Sequence, residues 1–405
     1  MSAVAARPAG LATNARLALI GDVATKAAQL AVMVLAARLL PTRELATLGI
    51  CLTLAAVLTV GLDAGVSTVL IRECARDPRR GWASAGAAAR VRLPFALAAV
   101  AACIAGGFAL GRPLDALLVA ALAILGAAAL TLFALFRAAQ TLATEAEQKL
   151  VAAAVTFAAG AAFALHRPTA AAVLVALALG PALTVPGLVL RARRYRGAGA
   201  VAHVLRSAAP LGALGLATML YYRAPTLILG ATRPSGDTAS YTLASTVAFG
   251  LLMVPNAITT ALLPRLASDG DSEPASRALA RTLQLWAVLA LSVGVAAKFV
   301  VPSVFGERYA GVTGPLVMLL FAGFAIGISG VIGTVIVARR GCRALVVQVG
   351  ACLLLNIGLG AILIPWLGPG GAAADTVVTE LLAVALLARQ VPGMVGHALL
   401  KAIGR

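Results

Sequence analysis

Charge is scarce in this sequence, and negative charge scarcer still. Only 12% of the 405 residues are Asp, Glu, Lys or Arg, with 15 acids against 33 basic residues. Aromatic residues make up 5%. The three histidines, His166, His203 and His397, fall at the ends of apolar runs or in loops, and nothing pairs them at a metal-ligand spacing. Five cysteines (Cys51, Cys74, Cys103, Cys342, Cys352) form no C-x-x-C pair, and none falls in an expected outer loop, so neither disulfides nor a metal cluster is expected. No G-x-x-x-x-G-K-[ST] loop occurs, so the chain does not hydrolyse nucleotide itself. Neither a cofactor nor a metal is expected.

What is abundant is apolar surface. Hydrophobic residues make up 61% of the chain and the mean hydropathy is +0.97, more than a water-soluble fold can bury. Apolar runs long enough to cross about 30 Å of hydrocarbon as helices recur throughout. Spans are expected near 16–37, 45–70, 93–112, 114–136, 150–165, 169–190, 207–230, 238–263, 282–304, 313–338, 344–367 and 370–388. The expected fold class is therefore all-α, a polytopic membrane protein of about 12 helices. The first run carries Asp22 and Lys26 inside a full-length span and is read as a helix that stays in the membrane. Loops are short, and the outer turns are only a few residues long apart from ATRPSGD (231–237) and FGERYAG (305–311), which disfavours an enzyme acting on lipid-linked sugars.

A net charge of +18 and a pI near 11.2 would suggest nucleic acid in a soluble protein, but position decides otherwise. With the N-terminus inside, the outer segments hold only Arg38, Arg43, Arg112, Arg167, Arg233 and Arg308, and most other Lys and Arg residues fall on the inner side. That asymmetry predicts an N-in, C-in protein of the cytoplasmic membrane whose environment is the lipid bilayer, with no nucleic-acid partner.

The basic stretch RARRYRGAGAVAHVLR (191–206) divides the spans into six and six, giving an N-terminal lobe over 1–190, a cytoplasmic linker over 191–206 and a C-terminal lobe over 207–405. At an offset of 193 residues GLDAGVSTVLIREC (61–74) lies over VPNAITTALLPRLA (254–267), so that Asp63 matches Asn256 and Arg72 matches Arg265. Halves of six spans each begin on the same side, which predicts a parallel repeat about a pseudo-twofold along the membrane normal, with a substrate site between the lobes.

Polar groups at membrane depth are the candidates for function, because a charge at mid-bilayer costs about 2.5 to 3.5 kcal/mol on insertion scales. Asp22, Thr25, Lys26 and Gln29 share one face of the first span. They read either as an internal Asp22 to Lys26 pair or as a wet wall whose Lys26 attracts an anionic headgroup. Tyr221, Tyr222 and Arg223 stand in the seventh span before Pro225, with no acid in helical reach. A guanidinium there binds phosphate in bidentate fashion and the tyrosines stack on sugar faces, unless Arg223 merely snorkels outward. Tyr241 and Asn256 add polar atoms in the eighth span. Asp63, Glu380 near the middle of the last span, and Asp22 are candidates for ion coupling; each carries a proton or pairs with a cation. GLDAG (61–65), GFALG (107–111) and GFAIG (323–327) read as close helix packing.

Several segments, in order, resemble the polysaccharide and oligosaccharide flippases of the multidrug, oligosaccharidyl-lipid and polysaccharide exporter superfamily. They are AARLLP (36–41), GLDAGVSTVLIRECAR (61–76), YYRAPTLILG (221–230), ASYTLAS (239–245), ALLPRLAS (261–268), VFGERYAG (304–311) and GPGGAAADTVVTELL (368–382). The resemblance covers nearly the whole chain. It implies a transporter that carries a lipid-linked oligosaccharide, on a polyprenyl-pyrophosphate carrier, from the cytoplasmic to the outer leaflet by alternating access, for cell-surface polysaccharide synthesis. It also implies a central cavity whose cations hold the pyrophosphate, with Lys26 and Arg223 placed to serve. Glycosyltransferases or the polymerase of the same pathway are implied partners. The drug-exporting branch, which needs a cation-coupling acid, is the leading alternative. Peptidoglycan-precursor flippases usually have extra C-terminal spans, and twelve spans count against that subgroup.

Overall fold

Alanine and leucine dominate the apolar runs, and both are strong helix formers, so local preference and burial of the backbone in lipid favour the same structure. A computed structural model describes residues 11–75, 77–197, 204–252, 273–340 and 343–390. The described residues form twelve α-helices: α1 (Leu11–Leu39), α2 (Thr42–Asp63), α3 (Val66–Cys74), α4 (Gly81–Ala109), α5 (Pro113–Ala138), α6 (Leu142–His166), α7 (Ala170–Ala192), α8 (Val204–Thr232), α9 (Ser235–Leu251), α10 (Glu273–Phe305), α11 (Thr313–Arg340) and α12 (Arg343–Ala388). Short 3-10 turns η1 (Pro78–Arg80), η2 (Arg193–Tyr195) and η3 (Glu307–Val312) join some of them. The protein is an all-helical, multi-pass membrane protein, with eight helical stretches among the described residues long and apolar enough to cross a bilayer.

One departure from the expected spans has a local cause. The second expected span is interrupted by Ala64 and Gly65, both at positive φ (48° and 74°), and resumes as α3. A Cβ on Gly65 would lie 2.5 Å from the Gly212 backbone nitrogen, so the missing side chain admits both the left-handed turn and the approach of α8. The last two expected spans are the two helical segments of α12, which meet at a sharp break at Gly368 (φ 57°) between Pro365 and Pro369.

The chain divides into two compact units: residues 1–39 with 54–215, and residues 40–53 with 216–405. In the first, α6 packs on α1 and α7, and α5 packs on α3, α4 and α7. Val66, Val69, Leu70, Leu132, Leu135, Phe136 and Leu188 form one of its cores. In the second, α11 packs on α9, α10 and α12. Trp286 of α10 is buried and donates its indole N–H to the Leu320 carbonyl at 2.9 Å. Leu285, Val288, Leu291, Val295 and Phe299, at 50 to 73% exposure, line α10 at helical spacing and mark a face for acyl chains.

Candidate functional site

In the second unit, the kink at Gly368 separates α12 into two segments that both contribute polar groups to its interior. Thr376, Thr379, Glu380 and Ala383 recur at three- and four-residue steps and are all buried. Asp375 accepts a hydrogen bond at Oδ2 from Asn356 Nδ2 of the first segment, at 2.8 Å. Thr379 donates to the Asp375 carbonyl at 2.8 Å and accepts from the Tyr221 hydroxyl of α8 at 3.0 Å. Tyr241 of α9 and Thr376 bring their hydroxyls to 3.5 Å. Glu380, 1% exposed, faces the hydroxyls of Tyr222 and Tyr221. The Tyr221 and Tyr222 rings meet edge to face at 5.1 Å, and Tyr222 meets Phe249 in the same way at 5.5 Å.

Neither Asp375 nor Glu380 has a basic residue in salt-bridge reach among the described residues. One oxygen of each carboxyl, and Asn356 Oδ1, are buried with no hydrogen-bond partner among the described residues. A carboxylate kept from water is satisfied only by a proton or a cation. Arg223, one residue beyond Tyr222, is half-buried and lies near the Tyr241 hydroxyl, again with no acid in ion-pair reach among the described residues. Five residues singled out in the sequence, Tyr221, Tyr222, Arg223, Tyr241 and Glu380, thus fall in one neighbourhood of the second unit. Asn256 and the ALLPRLAS segment lie outside the described residues.

The first unit treats its membrane charges differently. Asp22 does not pair with Lys26. Its Oδ1 meets Lys149 Nζ of α6 at 2.6 Å, and Lys149 also reaches Glu145 at 2.6 Å. Glu145, fully buried, takes Arg137 of α5 at 2.5 and 2.9 Å. Asp63 accepts from Arg92 of α4 at 2.9 Å and from the Ser67 hydroxyl. Arg92 donates further to Thr131 Oγ1 at 2.6 Å and to the Asp63 carbonyl at 2.5 Å. Lys26 and Gln29 are exposed on α1, with Lys26 Nζ 3.4 Å from Gln29 Oε1.

Asp375 and Asn356 were missed in the sequence. Asp375 lay within the GPGGAAADTVVTELL segment used for the resemblance, and an acid five residues before Glu380 inside an apolar run was the available signal. Asn356, within LLLNIGLG, had no such marker. Among the described residues no group of three or more His, Cys, Asp or Glu could hold a metal ion.

Solved structures that superpose on this chain include MATE transporters and a lipid flippase. The lipid II flippase MurJ in an inward closed conformation superposes with a TM-score of 0.71 at 13% identity, over 96% of this chain and 90% of that one. An inward-facing multidrug resistance MATE family transporter of the MOP superfamily gives 0.68 at 12% identity, over 96% and 100%. A MATE transporter of Vibrio cholerae, VcmN in a variant form, gives 0.69 at 16% identity, over 95% and 97%. The chain therefore has the fold shared by MATE transporters and MurJ. Residues 11–268 match the family model described as polysaccharide biosynthesis protein, and the chain belongs to that family. No curated protein sequence matches it.

Proposed function

We propose that this protein is a flippase that moves a lipid-linked oligosaccharide, its headgroup borne on a polyprenyl pyrophosphate, from the cytoplasmic to the outer leaflet by alternating access. The observation that carries this reading is Arg223: a half-buried guanidinium at membrane depth, beside Tyr221, Tyr222 and Tyr241, with no acid in reach among the described residues. A cation so placed costs energy unless an anion arrives. A pyrophosphate supplies two acceptor-rich groups for a bidentate guanidinium, and flanking tyrosines suit sugar faces and hydroxyls. Lys26 and Gln29 are proposed as further contacts for the headgroup. Membership in a polysaccharide biosynthesis family supports the substrate class.

Unaided, a pyrophosphate and its sugar hydroxyls would each lose several kcal/mol of hydration in hydrocarbon. With the cell interior negative, outward movement of two negative charges gains about 4.6 kcal/mol per 100 mV, from roughly 2.3 per charge. The potential can thus drive the step without ATP. The protein is proposed to lie in the cytoplasmic membrane with both termini inside, and to receive its substrate from the glycosyltransferases of the pathway. In proteoliposomes holding a fluorescent polyprenyl-diphosphate glycan at clamped potential, Arg223→Ala is expected to lower translocation about tenfold or more with the melting temperature unchanged. Wild-type rates in that variant would remove Arg223 from the substrate path.

A second reading has its own support. Asp375 and Glu380 are buried without a basic partner among the described residues, the arrangement a cation-coupled exporter of small molecules requires. A deletion strain separates the two. Glycolipid accumulating on the inner leaflet favours the flippase, whereas sensitivity to small cationic compounds with normal lipids favours the exporter.

A further inference from the structure

At the end of the first unit where α4 and α6 begin and α5 and α7 finish, the two 3-10 turns η1 and η2 touch. Gly197 makes this possible, since a Cβ there would lie 2.7 Å from Arg79 Cβ and 2.8 Å from the Arg79 carbonyl oxygen. The turns carry Arg79, Arg80, Arg193 and Arg194, and Arg196 follows. The nearby acids are occupied: Asp77 pairs with Arg80 at 3.1 Å, Glu73 with Arg72 at 2.9 Å and Glu147 with Arg191 at 2.7 Å. Arg79, Arg193, Arg194 and Arg196 are all exposed, and among the described residues none has an acid in salt-bridge reach.

Aromatic rings hold part of this cluster in place. Arg194 stacks over Tyr195 at 5.0 Å and Phe136 at 5.6 Å and donates to Thr141 Oγ1 at 3.3 Å, while the Tyr195 hydroxyl meets Thr141 Oγ1 at 2.9 Å. Arg196 lies over Trp82 at 5.6 Å. Tyr and Trp with a polar tip and an apolar body are the residues that settle at headgroup level. Along α7 from Arg194, at four- and seven-residue steps, stand Leu190 and Leu183, 63% and 62% exposed, a track for an acyl chain.

We infer that these touching turns form a binding site for the phosphate headgroup of an anionic phospholipid. Arg79, Arg193 and Arg196 supply the guanidiniums, Trp82 and Tyr195 fix the depth, and Leu190 and Leu183 lie along one acyl chain. Basic pockets between helix ends on the side where Lys and Arg collect recognise such headgroups. The leucine track favours a lipid over a soluble phosphate. The site belongs to the first unit and the Arg223 neighbourhood to the second, and the inference does not depend on which substrate is moved.

The test is native mass spectrometry of the full chain in neutral detergent, titrated with phosphatidylglycerol, cardiolipin or phosphatidylcholine. Arg79→Gln/Arg193→Gln/Arg196→Gln is expected to bind the anionic lipids about tenfold more weakly with phosphatidylcholine unaffected. A control with the same loss of charge in the second unit, Arg277→Gln/Arg281→Gln/Arg343→Gln, should change this less than about twofold. Arg193→Gln alone, at an exposed side chain, is expected to weaken binding about threefold and serves if the triple variant does not fold. Wild-type occupancy in the folded triple or single variant, equal losses in the control, or displacement by glycerol phosphate as effective as by lipid would each overturn the inference.

Discussion

The two units handle charge inside a membrane protein in opposite ways. In the first, every described acid at membrane depth meets a cation: Asp22 with Lys149, Glu145 with Lys149 and Arg137, Asp63 with Arg92. In the second, Asp375 and Glu380 are surrounded by Asn, Thr and Tyr, while Arg223 has no acid within reach among the described residues. Charges that neutralise each other inside a fold hold helices together and leave nothing for a ligand. Those left with neutral polar neighbours keep their electrostatic demand for an ion or a headgroup. The contrast directs variants of the paired acids to stability and variants of Asp375, Glu380 and Arg223 to transport.

The strongest way to break that contrast is Arg92→Ala, which strands Asp63 and should cost about 3 to 5 kcal/mol of stability, read as a fall in melting temperature or loss of folded protein in detergent. Asp63→Leu/Arg92→Met should recover part of this. A deficit of about 1 to 3 kcal/mol should remain, because the Asp63 main-chain carbonyl still lacks its donor. Glu380→Gln should do the reverse, leaving the melting temperature near wild type while translocation drops about tenfold. A variant that melts early but transports normally would assign Glu380 to structure. Arg223→Lys keeps the charge but not the bidentate fork, so we expect a loss of about three- to tenfold in diphosphate transport, milder than for alanine. Asp22→Asn should be smallest, under about 1 kcal/mol, since Asp22 is 54% exposed and Lys149 keeps Glu145. A larger loss on thermal denaturation would show that the α1 to α6 bridge matters more than its exposure suggests.

The helical membrane architecture was legible because the bilayer imposes a run length on every crossing segment, and α5 and α7 fall where composition placed them, whereas α4 begins at Gly81, twelve residues before its expected span. The break at Ala64 and Gly65 was not, since GLDAG equally describes a continuous helix packed closely on another. Individual polar residues such as Glu380 and Arg223 stood out against their apolar background, but their partners did not. Arg92 lies 29 residues from Asp63, and Lys149 lies 127 from Asp22. Spacing within one helix reports only neighbours three and four residues away, so it offered Lys26 as the partner of Asp22. Asp375 and Asn356 belong to the same class of omission, because their proximity is created by the kink at Gly368.

At the surface of a soluble protein, water would solvate the carbonyls exposed where a helix stops. Arg92 does that work for α2: the side chain that neutralises Asp63 also donates to the last main-chain oxygen of that helix. Arg233 repeats the device near the kink of α12, reaching the Pro365 carbonyl at 3.2 Å while holding Asp237 at 2.7 Å. The interrupted helix α2 can therefore end at membrane depth with its last carbonyl closed by a cation that brings its own counterion.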